Sequence, residues 1–256
     1  MITSTSSSQV KHVVNLQKKA KLRKEEKQFV VEGVKMVSEA PADRLVKVYV
    51  SETFKADNEE FLERMNYDSI GKDVLEIVTD NVFMRMADTQ TPQGIMAVVR
   101  MSDTDLEGIL LIIENLQDPG NLGTIVRMAE GAGVTGIIMS SNTVDIYNPK
   151  TIRSTMGSLY RVPVIYVDDI CEAADVCKSK GVTVYAAHLN GTDNYNKKDY
   201  TNPTAFMIGN EGNGLTDKLA DKADEYVRIP MQGEVESLNA AIACTILTYE
   251  AVRQRL

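Results

Sequence analysis

Two polar turns near the carboxyl end of the chain hold the residues best suited to chemistry. They are Gly209-Asn210-Glu211-Gly212-Asn213-Gly214 and Ile229-Pro230-Met231-Gln232-Gly233-Glu234-Val235-Glu236-Ser237-Leu238-Asn239. Each follows a short apolar or β-branched run, Ala205 to Ile208 and Tyr226 to Ile229, so each is expected at the carboxyl end of a strand. In an open α/β sheet that edge is where ligands bind. Three glycines in six residues let main-chain amides approach a ligand closely, because no Cβ intervenes. Ser237 is placed to cap the last helix, which gathers Glu236, Ser237 and Asn239 at its amino end. Together these positions offer amides, carbonyls, carboxylates, amides of asparagine and a hydroxyl, but no strong nucleophile. That suits a reaction whose reactivity is carried by a cofactor.

Several familiar chemistries are excluded. There is no G-x-x-x-x-G-K-[ST], the glycine turn is not G-x-G-x-x-G, and Glu211 within it would repel phosphate. No G-x-S-x-G elbow occurs. The only histidines are His12 and His188, too few and too far apart for a paired-histidine metal site; no metal is expected. His188, at a strand end, reads as a structural histidine, with substrate contact as the less favoured alternative. The three cysteines, Cys171, Cys177 and Cys244, show no C-x-x-C spacing, the pattern of a reduced, cytoplasmic protein. No apolar run approaches the roughly twenty residues needed to span a bilayer. The opening Met1 to Ser8 lacks an apolar h-region and reads as a frayed tail.

A net charge of −8 argues against indiscriminate nucleic-acid binding, so any positive surface must be local. One such concentration lies between Lys11 and Lys27 and includes Lys18, Lys19, Lys21 and Arg23. A solvated helix face and a phosphate-contacting patch are equally good readings of it.

The elements that must position these residues alternate along the chain. Strand and helix patterns run through Gln28–Val31, Gly33–Glu39, Leu45–Val50, Asn58–Met65, Val74–Val78, Val82–Met86 and Gly94–Val99, a small α/β unit. The polar stretch Met101 to Gly108 reads as a linker. Ile109 to Ile113, five apolar residues in a row, is expected to be a strand buried on both faces. Asp118-Pro119-Gly120 is turn chemistry, and Asn121 is placed to cap a helix from Leu122 to Glu130 that carries Arg127. Strands at Gly136–Ser140, Val162–Val167 and Val182–Ala187 follow, with a helix from Pro149 bearing Arg153 and another from Asp168 to Lys180. The final helix, Ser237 to Arg253, is small or apolar almost all the way round, which predicts burial on more than one side and a homodimer built on it. The expected layout is a tail at 1–10, a first domain at 11–100, a linker at 101–108 and a second domain at 109–256.

Three stretches resemble the signature motifs of the SpoU (TrmH-like) RNA ribose 2′-O-methyltransferases of the SPOUT superfamily. They are N-x-x-x-x-x-R at Asn121 and Arg127, G-x-E-G-x-G-L from Gly209 to Leu215, and I-P-M-x-G-x-V-x-S-L-N-A from Ile229 to Ala240. Phe29-Val30-Val31-Glu32-Gly33 and Thr89 to Ile95 are similar to the family's amino-terminal, ribosomal-protein-like substrate-binding domain. The resemblance implies an α/β chain whose carboxyl-terminal sheet closes in a trefoil knot and binds S-adenosylmethionine there. It implies cofactor contacts from Gly209, Ile229 and Leu238, and a catalytic set of Arg127, Asn121, Glu211, Ser237 and Asn239. It further implies a homodimer and an RNA substrate, ribosomal rather than transfer RNA; the candidate RNA contacts remain those read from the charge pattern, Lys18, Lys19, Lys21 and Arg23, with Arg153, on a helix facing the ligand edge, as a weaker one. A knotted RNA-binding protein without catalysis, a transfer-RNA enzyme and a small-molecule transferase are the competing expectations.

Overall fold

The computed structural model describes residues 1–67, 74–101, 108–189, 191 and 193–256. It divides into two compact units: Met1–Ser102 with Asp145–Tyr160, and Asp103–Val144 with Arg161–Leu256. Most of the expected linker, 102–107, lies outside the described residues, as do positions 190 and 192 of the expected polar loop.

The first unit opens with α1 (Ser8–Lys18), whose Val10, Val13 and Leu16 recur at helical spacing and are buried. After α2 (Ala20–Glu26) come β1 (Gln28–Glu32), α3 (Val34–Ser38), β2 (Leu45–Ser51), α4 (Glu52–Asp57) and α5 (Glu59–Met65). Next are β3 (Leu75–Val78), α6 (Asp80–Met86) and β4 (Ile95–Arg100). The sheet order is β1-β4-β2-β3, antiparallel except for β2 with β3. The apolar faces of α1 and α6 share one core with Val30, Tyr49, Met96 and Val98. The expected frayed tail is instead attached to the sheet edge. Ile2 bridges to Val78, its N–H donating to the Ile77 carbonyl at 2.8 Å and its carbonyl accepting from Thr79 at 3.1 Å. A β-branched apolar residue beside an open strand edge has ladder partners available, which charge and signal-peptide criteria do not register.

The second unit is a seven-stranded, all-parallel sheet, and its elements match the alternation read from sequence. They are β5 (Ile109–Ile113), α7 (Pro119–Gly131), β6 (Gly136–Ser140), β7 (Val164–Val167), α9 (Ile170–Ser179), β8 (Thr183–Ala187) and β9 (Asp193–Asn194). Then come β10 (Thr204–Ile208), α10 (Asp217–Ala220), β11 (Glu225–Arg228) and α11 (Ala240–Arg255). α8 (Pro149–Thr155) belongs by its contacts to the first unit. The order is β7-β6-β5-β10-β8-β11-β9. β5 is fully buried, as its unbroken apolar run requires. β10, the fourth of these strands in chain order to enter the interior, inserts between β5 and β8. From β5 the chain first builds outward through β6 to β7, then returns to build the other way. The crevice beyond the carboxyl ends of β5 and β10 is therefore a topological switch point, the place where such sheets hold ligands.

Candidate functional site

Four neighbouring strands, β5, β10, β8 and β11, deliver their carboxyl-terminal loops to that crevice. The loop after β10 is the glycine turn. Asn210 and Gly214 close it with reciprocal main-chain bonds of 3.0 and 2.9 Å. A Cβ on Gly209 would stand 2.0 Å from the Gly214 carbonyl carbon, so no side chain fits there. The Asn210 side chain stiffens the turn from inside, its Oδ1 accepting from the Gly212 and Asn213 amides, and ties it outward, its Nδ2 donating to the Asn115 carbonyl at 2.8 Å.

Between the glycine turn and the long loop after β11 lies a cavity of about 330 Å³. Ala187, His188 and Leu189, from the end of β8, wall one side, and Leu238, Ala240 and Ala243 another. The size is at the lower end of ordinary small-molecule sites. Gly209, Ile229 and Leu238 all border it, as does Ser237, which is exposed. His188 is half-buried with its ring edge-on to Tyr226, centroids 5.5 Å apart.

From Glu211, which borders the cavity, runs a chain of side chains. The Glu211 carboxylate accepts from the Gln117 amide at 3.3 Å, the Asp118 amide at 3.1 Å and Asn121 Nδ2 at 3.0 Å. Because an ionised carboxylate only accepts, Asn121 must turn its amino group to it, leaving Asn121 Oδ1 to accept from Asn239 Nδ2 at 2.9 Å. Asn239 Oδ1 in turn accepts from the Ala241 and Ile242 amides at 2.9 and 3.3 Å. Every donor therefore points toward Glu211, and the chain ends on the positive pole of α11. Burial acts to raise the Glu211 carboxyl, but bonds from Asn121 and from main-chain amides outweigh it and hold the group below its ordinary value of 4.5.

The caps differ from those read in sequence. Asp118 caps α7, its Oδ1 accepting from the Asn121 amide at 2.7 Å, with Pro119 as the first helical residue. Asn121, expected as the cap, lies inside the first turn, which frees its side chain to link Glu211 to Asn239. Likewise α11 begins at Ala240 and is capped by Asn239, not Ser237. The signal for the first was present, since Asp before Pro is the ordinary start of a helix with proline at its first position. The Asn115–Asn210 and Gln117–Glu211 ties have no sequence signature, because they join loops ninety or more residues apart.

Arg127 is not brought to the cavity wall. It lies on an exposed stripe of α7 with Gly120, Thr124 and Gly131, about 9 Å along the axis from Asn121 at 1.5 Å per residue. The Tyr249 hydroxyl stands 3.3 Å from where a Cβ on Gly131 would lie, so the half-exposed Tyr249 of α11 adjoins this stripe. Arg153 does not border the cavity either, and Nη1 of its guanidinium meets Asp88 at 2.8 Å.

The basic run resolves into unlike members. Lys18, Lys19 and Lys21 are exposed at the break between α1 and α2. Arg23, expected to face RNA, is only 3% exposed. Its guanidinium is spent on Asp145 and on the Leu16 and Gln17 carbonyls, a structural role. The chain breaks at Lys19, and Arg23 on α2 turns back onto the last-turn carbonyls of α1, which a count of positive charges cannot see. Among the described residues, no cluster of three or more His, Cys, Asp or Glu could hold a metal, and no helix is long and apolar enough to cross a membrane.

Comparison with known proteins places this geometry. The profile of the SpoU rRNA Methylase family matches residues 108–249, and that of the MRM3-like substrate binding domain matches residues 7–97. The chain is similar to the 23S rRNA (guanosine(2553)-2′-O)-methyltransferase RlmP of Bacillus subtilis, 36% identical over 68% of this chain and 70% of that one. It is also 36% identical to the 23S rRNA (uridine(2479)-2′-O)-methyltransferase of Streptomyces viridochromogenes, over 65% of this chain and 62% of that one. Among solved structures, the AdoMet-bound rRNA methyltransferase of Sinorhizobium meliloti superposes with a TM-score of 0.83 at 30% identity, covering 100% of this chain and 98% of that one.

Proposed function

Because the chain belongs to the SpoU rRNA methylase family, we infer that it is an S-adenosylmethionine-dependent RNA ribose 2′-O-methyltransferase acting on ribosomal RNA. The observation that carries this is the glycine-walled cavity with the Glu211–Asn121–Asn239 chain running from its border. The cavity suits the cofactor: glycine main chain and aliphatic side chains such as Ile229 and Leu238 line it together with polar groups, among them His188, Asn210 and Ser237, and Gly209 leaves no room for a side chain. When bound, S-adenosylmethionine supplies an electrophilic methyl group, so the protein has no need of a nucleophile.

Gly209, Ile229 and Leu238 hold the cofactor with their main-chain groups. Asn239, fixed by its two neighbours, keeps its remaining N–H for the ribose, with Ser237 beside it. Holding two reactants in line contributes roughly 7 to 11 kcal/mol, against about 10²- to 10⁴-fold for a general base. Positioning is thus the larger duty. Arg127 cannot act as a base, since a guanidinium stays protonated in proteins. It meets the target phosphate or the developing negative charge when RNA and a second copy are in place. The exposed Ile242 and Tyr249 of α11, the latter beside Gly131 on the Arg127 stripe, support a homodimer, and a monomer by light scattering at micromolar concentration would remove that part of the reading. Lys18, Lys19 and Lys21 contribute phosphate contacts, Arg153 a further one, in a cytoplasmic setting.

The decisive test maps ribose methylation in ribosomal RNA from cells with and without the protein. Loss of one methylated site in ribosomal RNA is expected; loss in transfer RNA alone, or none at all, overturns the assignment. In vitro, Arg127→Ala should leave S-adenosylmethionine binding intact and abolish transfer, and unchanged transfer would remove Arg127 from the mechanism.

A further inference from the structure

We propose that Glu114 is a positioning residue for the cofactor site, acting through Thr216 to hold both ends of the glycine turn. The inference rests on reading the cavity as an S-adenosylmethionine site.

Glu114 follows directly on the apolar run of β5 and is only 5% exposed. A carboxylate there is unfavourable unless its oxygens are satisfied. Both are, and by one residue. Glu114 Oε2 accepts from the Thr216 amide at 2.8 Å and Oε1 from the Thr216 hydroxyl at 2.7 Å. The Thr216 hydroxyl oxygen also accepts from the Leu219 amide at 3.3 Å, which starts α10. At the other end of the turn, the Glu114 main-chain N–H donates to the Ile208 carbonyl at 2.9 Å. Ile208 is the last residue before the turn and Thr216 the first after it. Everything between them, Gly209 to Leu215, borders the cavity, whereas Glu114 does not.

One residue at the end of β5 thus fixes where the glycine turn leaves the sheet and where it rejoins the fold. The match is specific to a carboxylate, which offers two acceptors to the two donors of Thr216. Glutamine offers one acceptor and sets an amino group against the remaining donor. Asn210 and Glu211 tie the same turn to Asn115, Gln117 and Asp118, so loss of Glu114 loosens the turn without releasing it. Since Glu114 touches neither the cavity nor the Glu211–Asn121–Asn239 chain, its effect falls on cofactor affinity more than on the transfer step.

The test is calorimetric titration of the full chain with S-adenosylmethionine, paired with steady-state methyl transfer, for wild type, Glu114→Gln, Thr216→Val, Thr216→Ser and the Glu114→Gln/Thr216→Val double variant. Loss of a buried, charge-assisted bond should raise Kd and the cofactor KM about tenfold in each of the first two variants, with a smaller fall in kcat. Thr216→Ser keeps the hydroxyl and should restore wild-type affinity. The double variant should bind no more weakly than Glu114→Gln alone, because the two residues act as one unit. Should Glu114→Gln fail to fold, Thr216→Val, a change at an exposed residue, reads the same coupling. Folded variants with wild-type Kd, or with kcat lost at unchanged Kd, overturn the proposal alone. A wild-type protein that fails to bind S-adenosylmethionine overturns the functional reading and this proposal together.

Discussion

Replacing Asn239 by aspartate should separate two duties that one side chain carries. Its Oδ1 caps α11, and its Nδ2 holds Asn121. Asn239→Ala removes both. Loss of a cap is worth about 0.5–2 kcal/mol and loss of an exposed side-chain bond about 0.5–1.5 kcal/mol. At roughly 2–4 °C per kcal/mol for a chain of this size, the melting temperature should fall by about 2–14 °C. Asn239→Asp keeps the acceptor for the Ala241 and Ile242 amides and adds a negative charge at a helix amino end, which favours the fold by about 0.3–1 kcal/mol. It loses the donor, however, and the Asn121 amide cannot reverse to compensate, because Glu211 requires its amino group. Asparagine and carboxylate oxygens then face each other, and the chain breaks at its middle. A misplacement near 1 Å at a reacting centre costs on the order of 10²-fold, so methyl transfer should fall by about that factor while stability is kept or slightly raised. Thermal melts followed by circular dichroism, and transfer of labelled methyl to a ribosomal RNA transcript, give the two readouts. An aspartate variant that melts as early as the alanine variant, or transfers methyl at the wild-type rate, refutes the reasoning.

Three further outcomes are expected. Arg23→Met should destabilise the protein by about 3 kcal/mol, the low end for removing one partner of a buried pair because Asp145 keeps 21% exposure, while the salt dependence of RNA binding stays as in wild type. Changing Lys18, Lys19 and Lys21 together to glutamine should weaken RNA binding and flatten the slope of log affinity against log salt by about 2, at roughly 0.7–0.9 per phosphate contact, with no change in melting temperature. The Glu211 carboxyl is held below its ordinary value of 4.5 in the folded chain, so its contribution to stability is present above that value and is lost only as pH falls through the lower, folded one. The difference in melting temperature between wild type and Glu211→Gln should therefore stay constant from neutrality down to about 4.5 and shrink as pH falls below it; a difference that disappears already above 4.5 contradicts the geometry.

The parts of the fold legible in sequence are those set by local pattern. Ile109 to Ile113 is expected as a doubly covered strand and is one, and the two turns are expected at the carboxyl edge of an open α/β sheet, where they lie; that all seven strands run parallel does not follow from the pattern. What stayed hidden depended on partners remote in sequence. Arg23 looked like its lysine neighbours until folding placed Asp145 and two carbonyls around it. Ile2 looked like part of a polar tail until β3 offered it an edge. The segment Asp145–Tyr160 sits among second-unit residues in sequence yet packs with the first, through Tyr147 against Phe29 and the Tyr160 hydroxyl on the Met36 carbonyl. Glu114 drew no notice because a carboxylate after an apolar strand ordinarily marks its exit to solvent.

The caps carry the most instructive difference, because moving each by a few residues changes what the site can do. Had Asn121 capped α7, its Oδ1 would be bound to helix amides and could not receive Asn239. With Asp118 in that role, Asn121 becomes the one residue able to accept from Asn239 while donating to Glu211. Glu211 is thereby surrounded by three donors and held below its ordinary pKa, which makes it a poor proton acceptor. Neither asparagine titrates, and Arg127 stays charged. In the proposed reading the Glu211–Asn121–Asn239 chain therefore offers orientation rather than basicity, and the rate gain assigned to it is the geometric one of holding a ribose hydroxyl in line.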